Sequence, residues 1–223
     1  MRKRNFTNAQ RVLIVLLLLL LVAAAVAIRR SHKHRQSDSA SFDYYVLSLS
    51  WAPEYCATHP ADKSAECRPG NHTGFVLHGL WPQSQDGPPP MNCQAASPVS
   101  SAIVRHMLEY FPSRGLVQHE WAKHGTCTGL SAQDYFAKVE QAFNELKLPE
   151  RFRNPEHDQS LSPRDIEHAL ATANSAPPEA FRVSCHNKEL VSVQACLTRD
   201  LKYQPCTASV QECTTNPVRM QAQ

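Results

Sequence analysis

The sequence has no Cys-x-x-Cys pair, no cysteine before Cys56 and no acidic residue before Asp38. Without Cys-x-x-Cys spacing, a zinc-site reading of the cysteines is weak. Residues 1–35 hold eight of the 23 Lys and Arg and none of the 20 Asp and Glu, so residues 36–223 set 15 basic against 20 acidic side chains, a formal charge of −5. A mildly acidic body excludes a nonspecific basic nucleic-acid binder, and any polyanion it handles must be held by a small local site. There is no internal repeat and no low-complexity tract beyond the leader. At 223 residues and 42% hydrophobic, the chain has the size of one domain with a real core rather than two or three domains.

Residues 12–28 (VLIVLLLLLLVAAAVAI) form an uncharged apolar run behind Arg2, Lys3, Arg4 and Arg11. The run exceeds the usual apolar length of a signal peptide and, at about 1.5 Å rise per residue, just reaches the lower limit for spanning a bilayer. Ala25-Val26-Ala27 offers a small-x-small cleavage site, so a cleaved signal peptide and a membrane anchor both stay open. Arg29, Arg30, Lys33 and Arg35 follow the run, and with equal charge on the two flanks the positive-inside rule does not fix the orientation. The cysteines decide it. All eight lie in the body, an even number suited to disulfides in an oxidising compartment. The expected organisation is a basic segment at 1–11, the apolar run at 12–28, a polar tether over 29–41 and a domain over 42–223. That domain is expected outside the cytosol, periplasmic, secreted or anchored at the membrane.

In the body, residues 44–50 mix aromatic and branched side chains in partial alternation and residues 75–77 are a short apolar run; both predict strands. Helices are predicted from Ser97, with Pro98 in the first turn, to about Phe111; over 135–146, where Ser131 and Asp134 make a cap-like pair; and from Ser162-Pro163. Residues 180–184 and 189–197 predict two strands joined at His186-Asn187-Lys188. Strands and helices mixed without βαβ regularity predict an α+β domain. Eight cysteines allow too many pairings for sequence to choose one, although a nested C-terminal set, Cys185 with Cys213 around Cys196 with Cys206, fits the spacing.

Two segments carry the chemistry. In FVLHGLWP (75–82), an apolar strand leads into His78, Gly79 and Trp81-Pro82; in HEWAKHGTC (119–127), His119, Glu120, Lys123 and His124 crowd six positions. On a helix, Glu120 would share a face with Lys123 and His124, and His119 would be turned away from it. A zinc hydrolase of the His-Glu-x-x-His kind needs its histidines four apart on one face, and the spacing of five here spoils that site. Two imidazoles, a carboxylate and an ammonium suit attack of an RNA 2′-hydroxyl on the adjacent phosphorus. A neutral imidazole takes the proton, an imidazolium protonates the departing 5′-oxygen, and the lysine offsets phosphoryl charge.

The two segments, about 40 residues apart, resemble the paired active-site segments of the T2 ribonucleases, acid endoribonucleases with little base preference. The resemblance extends over residues 43 to about 213. It implies a central, mainly antiparallel sheet flanked by helices, stapled by disulfides, with RNA as substrate and no metal or cofactor. By resemblance, His78 is the acid for the leaving group and His124 the base. Glu120 and Lys123 stabilise the pentacovalent phosphorus, His119 helps hold phosphate, and Trp81 packs a base or shapes its pocket. The resemblance also implies the bridges Cys93–Cys127 and Cys56–Cys67. One departure is Ser50 before Trp51-Ala52-Pro53, where many plant members carry a base-contacting Gln.

Taken singly, these residues have plainer readings. A histidine at a strand end is commonly a hydrogen-bonded structural group. Glu120 with Lys123 alone would be a solvated pair contributing about 0.3 kcal/mol. Trp51 and Trp121 are expected in the core, and Asn71-His72-Thr73 is a sequon only in a host that glycosylates. The remaining rival is a noncatalytic, membrane-anchored RNA-binding or storage relative on the same scaffold.

Overall fold

A run of aromatic and aliphatic residues with almost no polar face makes a strand that must lie inside a sheet, covered on both sides. Tyr44–Trp51 (β1) is such a strand, buried along nearly its whole length. In the computed structural model, which describes Leu17, Leu18 and residues 42–222, β1 lies between two antiparallel neighbours. These are Phe75–Gln83 (β2) and Glu189–Thr198 (β5). Phe181–His186 (β4) pairs antiparallel with β5, and the short strands Gln159–Leu161 (β3) and Val218–Met220 (β6) complete the six-stranded sheet. Among the described residues, the one parallel contact joins β5 to β6 at Glu189 and Arg219. The mainly antiparallel α+β architecture expected from the sequence is the one found.

Helices cover the sheet. Ala52–Thr58 (α1) follows β1 directly, with Pro53 in its first turn. Ser101–Met107 (α2), Arg114–Lys123 (α3) and Ala132–Glu145 (α4) follow β2, then Glu150–Arg153 (α5) and Pro163–Asn174 (α6). Four of them start on a serine whose Oγ accepts a backbone N–H from the first turn: Ser100 for α2, Ser113 for α3, Ser131 for α4 and Ser162 for α6. Such caps contribute about 1 kcal/mol each. The buried stripe Tyr135, Phe136, Val139 and Ala142 of α4 packs into the main core with Leu47, Leu49, Leu77 and Leu80 of β1 and β2. Trp51 is fully buried and Trp121 packs at the core margin, as expected.

Three expectations about boundaries change. The second strand does not stop at His78 but runs to Gln83, because Tyr44–Ser48 supply partners for Gln83–Gly79. Pro82 is tolerated there since β2 is an edge strand. The helix expected from Ser97 begins at Ser101 with Ser100 as cap. Gln118 bonds both the N–H and the carbonyl of Val99, which holds that residue outside the helix. It also ends at Met107 rather than Phe111. The β4–β5 turn closes on Asn187 and Lys188, both at positive φ, as a tight two-residue hairpin requires.

Four disulfides join Cys56 to Cys67, Cys93 to Cys127, Cys185 to Cys213 and Cys196 to Cys206. The chain divides into two units, 1–39 and 40–223. Apart from the helical Leu17 and Leu18, the expected apolar run 12–28 and polar tether 29–41 lie outside the described residues. Among the described residues, no helix is long and apolar enough to cross a membrane.

Candidate active site

His78 occupies an irregular point of β2. Ser48 pairs with Gly79 and Leu49 with Leu77, so His78 is the extra residue of a β-bulge. A bulge re-aims side chains, and here Leu77 and Leu80 both enter the core while the imidazole between them stays 37% exposed. Its Nδ1 is 2.9 Å from Ser50 Oγ, and its Nε2 is 3.7 Å from Glu120 Oε1.

Glu120 reaches this point from α3. Its carboxylate is wholly buried against β2, and it fits because residue 79 is glycine: a Cβ there would collide with Glu120 Oε2 and come within 2.7 Å of Trp81 Nε1. Trp81 ties the cluster together. Its Nε1 donates to Glu120 Oε2 at 2.8 Å. Its ring stands edge-on to His78, with centroids 5.3 Å apart, and stacks on His124 at 5.2 Å and 24°.

His124 is the C-cap of α3, its N–H still donating to Glu120 O at 3.0 Å. The chain then tightens into a 3-10 turn, Gly125–Cys127. Gly125 has no room for a Cβ against the Trp121 ring. The Cys93–Cys127 bridge and the Asn92 N–H donating to Lys123 O at 2.8 Å clamp the loop before α2 onto the end of α3. Lys123 is half-buried at that end and His119 is exposed on the same helix.

Burial dominates the electrostatics. It lowers the pKa of His124 to about 3, with Lys123, His119 and His78 acting in the same direction, and that of His78 to about 4, with His119 and Lys123 assisting. It raises Glu120 to about 8, against the opposing effects of the Trp81 hydrogen bond and the Lys123 charge. The carboxyl is therefore neutral at mildly acidic pH and both rings favour the neutral form in the free protein. Among the described residues, the buried Glu120 Oε1 and His124 Nδ1 have no hydrogen-bond partner. Beside His78 a cavity of about 90 Å³ opens between Ser50, Tyr55, Asp62, Glu66, Pro112 and Leu116.

An edge-strand histidine and a helix-terminal histidine held on two sides of one tryptophan, over a buried carboxyl, sit within a match of residues 42–206 to the model of the ribonuclease T2 family. The chain belongs to the ribonuclease T2 family. It is 46% identical over 100 residues to a ribonuclease of Aeromonas hydrophila, a match covering 45% of this chain and 44% of that protein. It is 27% identical over 202 residues to ribonuclease DdI of Dictyostelium discoideum, covering 79% and 87% of the two chains. Among solved structures, an RNase-related protein from Calystegia sepium shares the fold, with a TM-score of 0.65, 23% identity and coverage of 82% of this chain and 98% of that one. The chain thus spans less than half the length of the Aeromonas relative in its match.

In this T2 family member the structure gathers His78, Glu120 and His124 around Trp81, with Lys123 and His119 adding positive charge nearby. Trp81, expected to pack a base, has its indole N–H engaged by Glu120 and its ring set between the two histidines. Sequence reading missed Gly79, Asn92 and the contact of Ser50 with His78. The glycine lay inside the first motif, but its purpose depends on a carboxylate 41 positions later. No local signal marks Asn92 or the Ser50 contact.

Proposed function

We propose that this protein is an endoribonuclease that cleaves single-stranded RNA by transesterification, without a metal ion, and acts outside the cytosol. The observation that most supports this reading is the placement of two histidine rings against Trp81, with the buried Glu120 carboxyl 3.7 Å from the His78 ring.

His124, neutral down to about pH 3, is the base: it takes the proton of the 2′-hydroxyl as that oxygen bonds to phosphorus. The bond from phosphorus to the 5′-oxygen breaks as His78 gives that oxygen a proton, leaving a 2′,3′-cyclic phosphate. His78 is uncharged in the free protein, but a bound phosphodiester anion favours its imidazolium. Glu120, its Oε1 facing Nε2 of His78, supplies the proton that makes the switch local. Lys123 and His119 offset charge on the non-bridging oxygens. Water then attacks the cyclic ester with the two histidines in exchanged roles, giving a 3′-phosphate more slowly. Base preference is low, as in the family, and the cavity beside His78 receives part of the leaving nucleoside.

Substituting His78 or His124 by Phe tests this directly. Each variant is expected to lose turnover of RNA by about two to four orders of magnitude with its thermal transition retained. A variant that keeps near-normal turnover would remove that histidine from the mechanism.

A further inference from the structure

The Nδ1 atom of His78 is not free: it lies 2.9 Å from the hydroxyl of Ser50, across the sheet on β1. The contact depends on the bulge. Ser50 pairs with Val76, two residues before His78, and the extra residue at 78 brings the imidazole to that hydroxyl. The opposite ring nitrogen, Nε2, faces Glu120 Oε1.

A hydroxyl can donate or accept, so the pair alone permits two tautomers of a neutral His78. The other side of the ring decides between them. Glu120 Oε2 already accepts from Trp81, and Oε1 is buried 3.7 Å from Nε2 with no hydrogen-bond partner among the described residues. A neutral carboxyl there needs an acceptor for its proton, and the lone pair of Nε2, 3.7 Å away, comes within hydrogen-bond range by a side-chain shift of under about 1 Å. That leaves the ring hydrogen on Nδ1, donated to Ser50.

Resting on the ribonuclease reading above, the geometry points to Ser50 as a positioning residue. By accepting from Nδ1 it holds His78 in the tautomer whose Nε2 can take a proton from Glu120 and pass it to the leaving oxygen. The line of groups is Glu120 O–H to Nε2, then Nδ1–H to Ser50 Oγ. When substrate binds, one proton moves from Glu120 to Nε2; when the leaving oxygen takes it, the ring returns to the Nδ1–H form. Without the hydroxyl, the neutral ring is free to adopt the Nε2–H form, which sets a ring N–H against the carboxyl O–H and has no lone pair to receive its proton.

The test uses the full chain as wild type, Ser50→Ala and Ser50→Thr. Nitrogen-15 NMR of the His78 ring at neutral pH reads the tautomer, and steady-state cleavage of a dinucleotide reads kcat and KM. Wild type and Ser50→Thr are expected with the hydrogen on Nδ1, and Ser50→Ala with a shift toward Nε2–H. Ser50→Ala is further expected to lose on the order of tenfold in kcat with KM little changed, restored by Thr. A wild-type ring protonated on Nε2, or an Ala variant with unchanged tautomer and kcat, would overturn the role of Ser50. Absence of cleavage by the wild type would instead overturn the ribonuclease reading, since the tautomer is read without turnover.

Discussion

Oε1 of Glu120 and Nε2 of His78 stand 3.7 Å apart, the carboxyl wholly buried and the imidazole partly open to solvent. Burial makes charge costly on both, so at mildly acidic pH the carboxyl keeps its proton and the ring stays neutral. In the proposed mechanism the carboxyl, with its pKa near 8, serves as the reservoir that the ring draws on when an anion arrives.

The pH dependence of cleavage follows from this pair. In the wild type, kcat/KM is expected to fall at low pH as His124 protonates, near 3, and at high pH as Glu120 loses its proton, near 8. Glu120→Gln removes the reservoir, so its alkaline limb should move toward the value of His78 itself, near 4. Rate profiles of the two proteins between pH 3 and pH 9 check this, and superimposable alkaline limbs would contradict it.

Stability should show the same group with a defined sign. The folded-state pKa of Glu120 is raised above its ordinary 4.5, so the stability its neutral form confers is complete below 4.5 and is lost as pH rises through 8. His78 and His124 have lowered values and act oppositely, with stability complete above 6.5 and lost toward 4 and 3. The Tm of Glu120→Gln relative to wild type should therefore climb by several degrees between pH 4.5 and 8, given about 2–4 °C per kcal/mol in a domain of this size. A Tm difference independent of pH would count against a protonated Glu120.

Gly79→Ala should damage site and fold together. Its methyl group meets the Glu120 carboxylate and the Trp81 indole nitrogen, and neither can retreat without breaking the bond between them. A loss of about 1–3 kcal/mol, typical of overpacking, is expected by denaturant unfolding, with cleavage falling more than stability accounts for. Wild-type activity in this variant would mean that the Glu120–Trp81 bond is dispensable.

Opening the Cys93–Cys127 bridge should affect Lys123 and His124 through the backbone. The bridge closes 34 residues, and its loss through Cys93→Ser with Cys127→Ser is expected to cost about 3–4 kcal/mol on chain-entropy grounds. Because Asn92 also holds Lys123 O, cleavage should weaken even where the variant is fully folded, as circular dichroism and kinetics at low temperature would show. Unchanged kcat would confine the bridge to stability.

The parts of the fold that were legible from sequence are those with a local cause. The serine caps of α4 and α6, the aromatic and branched side chains of β1 and the β4–β5 turn all announced themselves within a few residues. The continuation of β2 past His78 was hidden because Gly79 and Pro82 argue against a strand, and only the pairing with Tyr44–Ser48 sustains it. The start of α2 was hidden because Gln118 restrains Val99 from a later helix. The candidate site was legible as two segments rich in proton-transfer groups. What joins them was not: the bulge at His78, the Trp81–Glu120 bond and the Ser50 contact are all products of long-range packing.

The most direct test of the central claim is to digest total RNA, and DNA of the same length, with the oxidised protein at about pH 5 in excess chelator, alongside His124→Ala. Cleavage of RNA alone to 2′,3′-cyclic phosphate ends, lost in the variant, is predicted because the attacking oxygen is the 2′-hydroxyl that DNA lacks. Intact RNA from folded wild-type protein, cleavage that the chelator abolishes, or equal cutting of DNA would contradict it.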